Sequence, residues 1–156
     1  MTQKTESLNL MENLSPTFWK KGRLQTFKHW PFKSDEHCNP ESMAAAGFYA
    51  VGGEDEPDLA ECFMCSKQLD GWEPEDDPWQ EHKKHQPNCP FVEINKTDES
   101  QLTVKELFHL MEKHYKRKMT GDFEKCIEEM KKEWKANADT IPGIYESAKK
   151  SKKSLD

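Results

Sequence analysis

Four residues constrain this chain more than any others. The pattern Cys62-x2-Cys65-x16-His82-x6-Cys89 offers three thiols and an imidazole in two close pairs. Structural zinc takes four such sulfur and nitrogen ligands in a tetrahedron, commonly from spacings of this kind. The spacing points to His82 as the imidazole ligand, with His85 as the alternative. A catalytic zinc keeps one coordination position open, whereas here Cys89 fills it. Zinc deaminases also carry a C-x2-C, but with a proline before the first cysteine and an upstream H-x-E. Glu61 occupies that place and no H-x-E precedes it. One structural Zn²⁺ is therefore expected, acting as a staple.

A staple suits a chain with little to bury. Of 156 residues, 34% are hydrophobic and 33% charged, and the mean hydropathy is -1.03. One core cannot extend over the whole length, so a compact part and an elongated, solvated part are expected. The net charge of -6 and pI near 5.6 argue against a dedicated nucleic-acid binder. The opening MTQKTESLNLMENL lacks the apolar core of a signal peptide, and no apolar run is long enough for a membrane span. Five cysteines, an odd number, fit a reducing compartment in which close cysteines bind metal. Cys38 and Cys126 have no His/Asp setting and read as plain reduced thiols.

The organisation follows from punctuation. Residues 1–14 are polar and expected to be loose. Ser15-Pro16 and Asn39-Pro40 are cap-plus-proline helix starts. The first predicts a helix to about Lys28, with Phe18, Leu24 and Phe27 inward; the second leads into MAAAG, stopped by Gly47. Residues 48–51, 59–64 and 67–72 are short strand candidates. Asp77-Pro78 starts a helix carrying Trp79, His82 and His85. Residues 15–94 thus describe an α+β module, a short three-stranded sheet with surrounding short helices.

After a polar linker at 95–102, Thr103 to Glu106 fits a capping box. Apolar residues then recur at threes and fours: Val104, Phe108, Met111, Tyr115, Met119, Phe123, Ile127, Met130 and Trp134. One long C-terminal α-helix over 103–137, roughly 50 Å at ~1.5 Å per residue, is predicted. Its charged remainder reads as a solvated face. Its apolar stripe calls for partner helices in a bundle, with packing back onto the module as the alternative. The tail 138–156 contains a lysine cluster whose simplest reading is solvation.

These motifs resemble a known family. Arg23-Leu24-Gln25-Thr26-Phe27, Trp30-Pro31 and Met43 through Tyr49 are similar to the opening of a baculovirus IAP repeat, the BIR domain of the inhibitor of apoptosis family. Gly71-Trp72-Glu73-Pro74, Asp76-Asp77-Pro78-Trp79, Glu81-His82 and the cysteines resemble its close. One repeat over about 18–92, then a long helix and no RING finger, resembles the family's single-repeat members that act in cell division. The resemblance implies a non-enzymatic targeting subunit of the chromosomal passenger complex. It would be located at nucleus, centromere, spindle midzone and midbody, and in cytoplasm.

Residues 18–94 hold 15 acidic and 8 basic residues, a surface that attracts cations. The resemblance makes the ligand specific: a core histone N-terminus, Ala-Arg-Thr-Lys, phosphorylated on its threonine. It assigns Asp70 and Asp76 to the terminal ammonium, and Leu69 and Trp72 to the alanine pocket. Lys67 and His85 receive the phosphate, and Glu56 meets the lysine. It also implies a homodimer surface at Phe91, Ile94, Leu102, Val104 and Phe108. The helix residues Met111, Tyr115, Met119, Phe123, Ile127, Met130 and Trp134 would contact borealin and inner centromere protein, and through them an Aurora kinase. The competing reading is an apoptosis inhibitor that binds caspases or N-terminal-alanine antagonists through the same groove. Asn39-Pro40 stands where these members carry a kinase-target Thr-Pro, and the export-like segment is diluted to INKTDESQLTV.

Overall fold

The computed structural model describes residues 14–138 and Gly143. Of the start expected to be loose, only Leu14 is among these, and it is buried rather than loose; of the tail over 138–156, only Ala138 and Gly143 are among them, and its lysine cluster lies outside. A short 3-10 turn, Pro16–Phe18, precedes α1 (Lys20–Leu24) and α2 (Pro40–Ala45). An antiparallel sheet follows in the order β1 (Phe48–Ala50), β2 (Ala60–Cys62), β3 (Gln68–Leu69). Then follow α3 (Pro78–His85), α4 (Pro90–Ile94), a 3-10 turn at Glu99–Gln101 and the long α5 (Val104–Asn137). No described helix is long and apolar enough to cross a membrane.

The cap-plus-proline starts work as side-chain chemistry predicts. Ser15 accepts from the Thr17 N–H, Asn39 from Ser42, and Asp77 from Trp79 and Gln80. Each supplies an acceptor to a first-turn amide that the helix itself leaves unpaired. Thr103 and Glu106 exchange the two bonds of a capping box at the start of α5. The Lys96 ammonium and the Thr103 amide hold the Glu106 carboxyl down at about 2.

The single helix expected over 15–28 is instead interrupted at Trp19, whose backbone is extended. The cause is Arg23. Its guanidinium is fully buried and takes the carbonyls of Thr17 at 3.1 Å, Phe18 at 2.6 Å and Ala44 at 2.9 Å. A continuous helix would need the first two for its own ladder. The same turn places Leu24 at the surface, 37% exposed, although periodicity assigns it inward. Phe18 and Phe27 are buried as expected.

The core is aromatic. Phe63 packs edge-on against Phe18 at 5.4 Å and Phe91 at 5.1 Å, and Trp79 meets Phe91 at 5.6 Å. The Arg23 guanidinium lies 4.4 Å from the Phe63 ring centroid. Helix α4 was not apparent from periodicity, because five residues are too few to show one. Its Phe91 is 1% exposed and so is taken up by this core, where the family resemblance places it at a dimer surface. Met111, at 3%, is likewise buried, unlike the rest of the long stripe. Two compact units divide the chain, one ending at Lys113 and the other starting at His114. In the second, Met119, Phe123, Met130 and Trp134 are 60–70% exposed.

Gly47 ends α2 with φ +94°, and a Cβ there would stand 2.9 Å from the Phe91 ring. Gly47→Ala should therefore cost about 1–3 kcal/mol, from backbone strain and displacement of Phe91. Urea denaturation of the two zinc-loaded proteins measures this; equal midpoints would contradict the packing described.

Candidate metal centre and peptide groove

Three local elements bring the four ligands together. Cys62 ends β2, and Cys65 follows in a turn that Ser66 closes with φ +56°. His82 projects from the middle of α3, and Cys89 is the residue before α4. The ligand atoms of Cys62, Cys65, His82 and Cys89 all lie within 4.8 Å of one another. Cys62 and Cys89 sulfurs are 3.9 Å apart, and Cys65 Sγ is 3.6 Å from His82 Nε2. Zn–S bonds of about 2.3 Å in a tetrahedron place sulfurs about 3.8 Å apart, so the set matches one zinc ion. His85 is not part of it.

A backbone carbonyl orients the imidazole. His82 Nδ1–H donates to the Ala46 carbonyl at 2.8 Å, which leaves the Nε2 lone pair facing the thiols. Burial and its bonds to Cys65 and Cys89 push the Cys62 thiol well up. Cys65 is moved the opposite way by its bonds to Cys62 and Cys89. The buried Cys62 does not shed its proton unaided; a dication that replaces the thiol protons makes the buried Cys62 and Cys89 and the half-buried Cys65 compatible as thiolates. Four protein ligands saturate a tetrahedral ion, so the centre is structural.

One ring links this centre to a groove. Phe48 is fully buried, 4.8 Å from the His82 ring and 5.4 Å from Trp72. Trp72 is 7% exposed and donates Nε1–H to the Leu69 carbonyl. On its outer side lies a cavity of about 160 Å³ lined by Leu69, Asp70, Gly71, Trp72, Asp76, Glu81 and His85. Five of the seven residues assigned to peptide binding thus share one cavity. Glu56 and Lys67 do not line it. Glu81, which the resemblance left without a role, does: its carboxylate lies 3.2 Å from His85 Nε2 and also binds Lys84. Its signal was a four-residue spacing from His85 on a helix, which puts both on one face. Asp76 is partly committed, accepting the Glu73 N–H at 2.8 Å. A larger cavity, about 390 Å³, lies between α2 and the start of α3 and contains none of the assigned residues.

The Inhibitor of Apoptosis domain, BIR, matches residues 23–93. Baculoviral IAP repeat-containing protein 5 of Rattus norvegicus, a survivin, is 45% identical over 124 residues, covering 75% of this chain and 87% of that protein. The chain belongs to the BIR family. The similarity extends to Baculoviral IAP repeat-containing protein 5.2-B of Xenopus laevis, at 44% identity over 80% of this chain and 76% of that protein. The autoinhibited dIAP1-BIR1 domain, a solved structure, aligns at 30% identity with a TM-score of 0.44, covering 52% of this chain and 73% of that one. In the BIR module, Cys62, Cys65, His82 and Cys89 are the zinc set.

Purified protein should carry one zinc per chain, and Cys89→Ser should lose it together with the cooperative unfolding transition. His85→Ala should retain both. Metal analysis beside thermal melts separates the two histidines; loss of zinc from His85→Ala would overturn the ligand set.

Proposed function

We propose that this chain is a non-enzymatic targeting subunit that reads a phosphorylated histone tail through its BIR groove. The observation that carries the reading is the content of the small cavity. Three carboxylates, Asp70, Asp76 and Glu81, and the imidazole of His85 surround a mostly buried indole. A peptide α-ammonium with a small first side chain suits the carboxylates and the Leu69–Trp72 floor. A phosphate two residues on carries about -1.5 to -2 charges and suits a protonated His85. Lys67 and Glu56 lie outside the cavity and would meet the peptide beyond it. The net negative surface of the module favours encounter with a cationic tail.

The long helix supplies the second half of the function. Its exposed Met119, Phe123, Met130 and Trp134 form a stripe suited to other helices. The similarity to survivins supports borealin and inner centromere protein as those partners, with an Aurora kinase joined through them. It also supports mitotic localisation at the centromere and later the midzone. Ile94, Leu102, Val104 and Phe108 remain candidates for a homodimer surface; Val104 and Phe108 are 71% and 59% exposed.

Calorimetric titration of the zinc-loaded chain with Ala-Arg-Thr-Lys peptide, with and without threonine phosphate, tests the reading. The phosphopeptide should bind more tightly, and Asp76→Asn and His85→Ala should each weaken it by roughly tenfold, about 1.4 kcal/mol. Equal affinity for both peptides would indicate a general alanine-terminus groove and favour the apoptotic reading. Absence of binding by either would remove the histone tail as ligand.

A further inference from the structure

The joint between the BIR module and α5 has no buried residue anywhere from Asn95 to Thr103. Its hold on its surroundings is polar. At one end, Glu99 Oε1 accepts the backbone N–H of Lys20 at 2.6 Å and Arg23 Nη2–H at 2.8 Å. At the other, Lys96 Nζ binds both oxygens of Glu106, at 2.9 and 2.7 Å, and Glu106 in turn closes the capping box of α5.

The Glu99 contact fills a specific deficit. Helix α1 begins after Trp19, which has no side-chain oxygen and makes no capping bond. The carboxylate of Glu99, 79 residues further along the chain, acts as the missing N-cap for Lys20. It also faces the one fully buried cation of the module. Burial lowers the pKa of Arg23, and the charge and hydrogen bond of Glu99 work against that. Three backbone carbonyls also hold Arg23, so the guanidinium stays bonded without the carboxylate, whereas α1 loses its cap.

We propose that residues 95–102 form a releasable strap, in which Glu99 couples the N-terminal helix α1 to the start of α5. Closing the strap caps α1; lifting it uncaps α1 and frees the joint that leads into Leu102, Val104 and Phe108. A second chain that engages those three residues is then sensed at α1. Only this last step rests on the reading of the joint as a contact surface.

Hydrogen exchange on the full zinc-loaded chain tests the coupling without any ligand, so its failure is distinct from failure of the histone-tail reading. In Glu99→Ala, the amides of Lys20 and Arg23 and those of Gln101 and Leu102 should exchange faster together, by roughly tenfold. Val51 and Cys62, bonded within the sheet region, should not change. Glu99→Gln keeps an acceptor but loses the charge and should lie between. Acceleration of only one of the two segments would overturn the coupling. Equal acceleration of the sheet amides would make Glu99 a general stabiliser, and unchanged rates everywhere would remove the strap.

Discussion

Four side chains closing on one ion set the conditions for everything else in the module. The elements that carry them are too short to persist alone: β2 has three residues, α4 five and α3 eight. Helices and hairpins of such length are marginal in water unless tertiary contacts hold them. The cluster ties the β2 turn, the middle of α3 and the start of α4 to one point. Phe48 then passes that rigidity to Trp72, so the groove wall is braced by the same centre that stabilises the fold. In a small domain a structural metal makes up for limited apolar burial.

Arg23 is the second constraint, and it works through hydrogen bonds. A buried guanidinium is tolerated only when its donors find acceptors and its charge a counter-charge. Carbonyls from the first turn and from α2, the faces of Phe63 and Phe91, and the Glu99 carboxylate together meet that demand. The break at Trp19 follows from it. Metal centre and buried arginine thus organise the same aromatic core, in which Phe63 and Phe91 link Arg23 to Trp79.

The groove and the distal part of α5 are surfaces of different character. The groove is small, acidic and built on a rigid backing, as suits recognition of a short charged segment. The distal part of α5 is long, with large apolar side chains open to contact, as suits association with other helices. The joint at 95–103 is held by ion pairs and hydrogen bonds, with no residue of its own buried.

The amino-acid sequence by itself determined the metal ligands, the starts of α2, α3 and α5, and the long amphipathic helix. These depend on local spacing: two residues between cysteines, a cap before a proline, apolar side chains every three or four positions. It also carried the resemblance that supplied five of the seven groove-lining residues. Tertiary structure decided what depends on distance across the fold. Only packing shows that Arg23 goes inside and Leu24 outside, that Phe91 and Met111 join the core, and that Glu81 lines the groove while Lys67 and Glu56 stand apart. Only folding brings Glu99 to the start of a helix 79 residues earlier, because a cap supplied from so far away has no signature in the spacing of neighbouring residues.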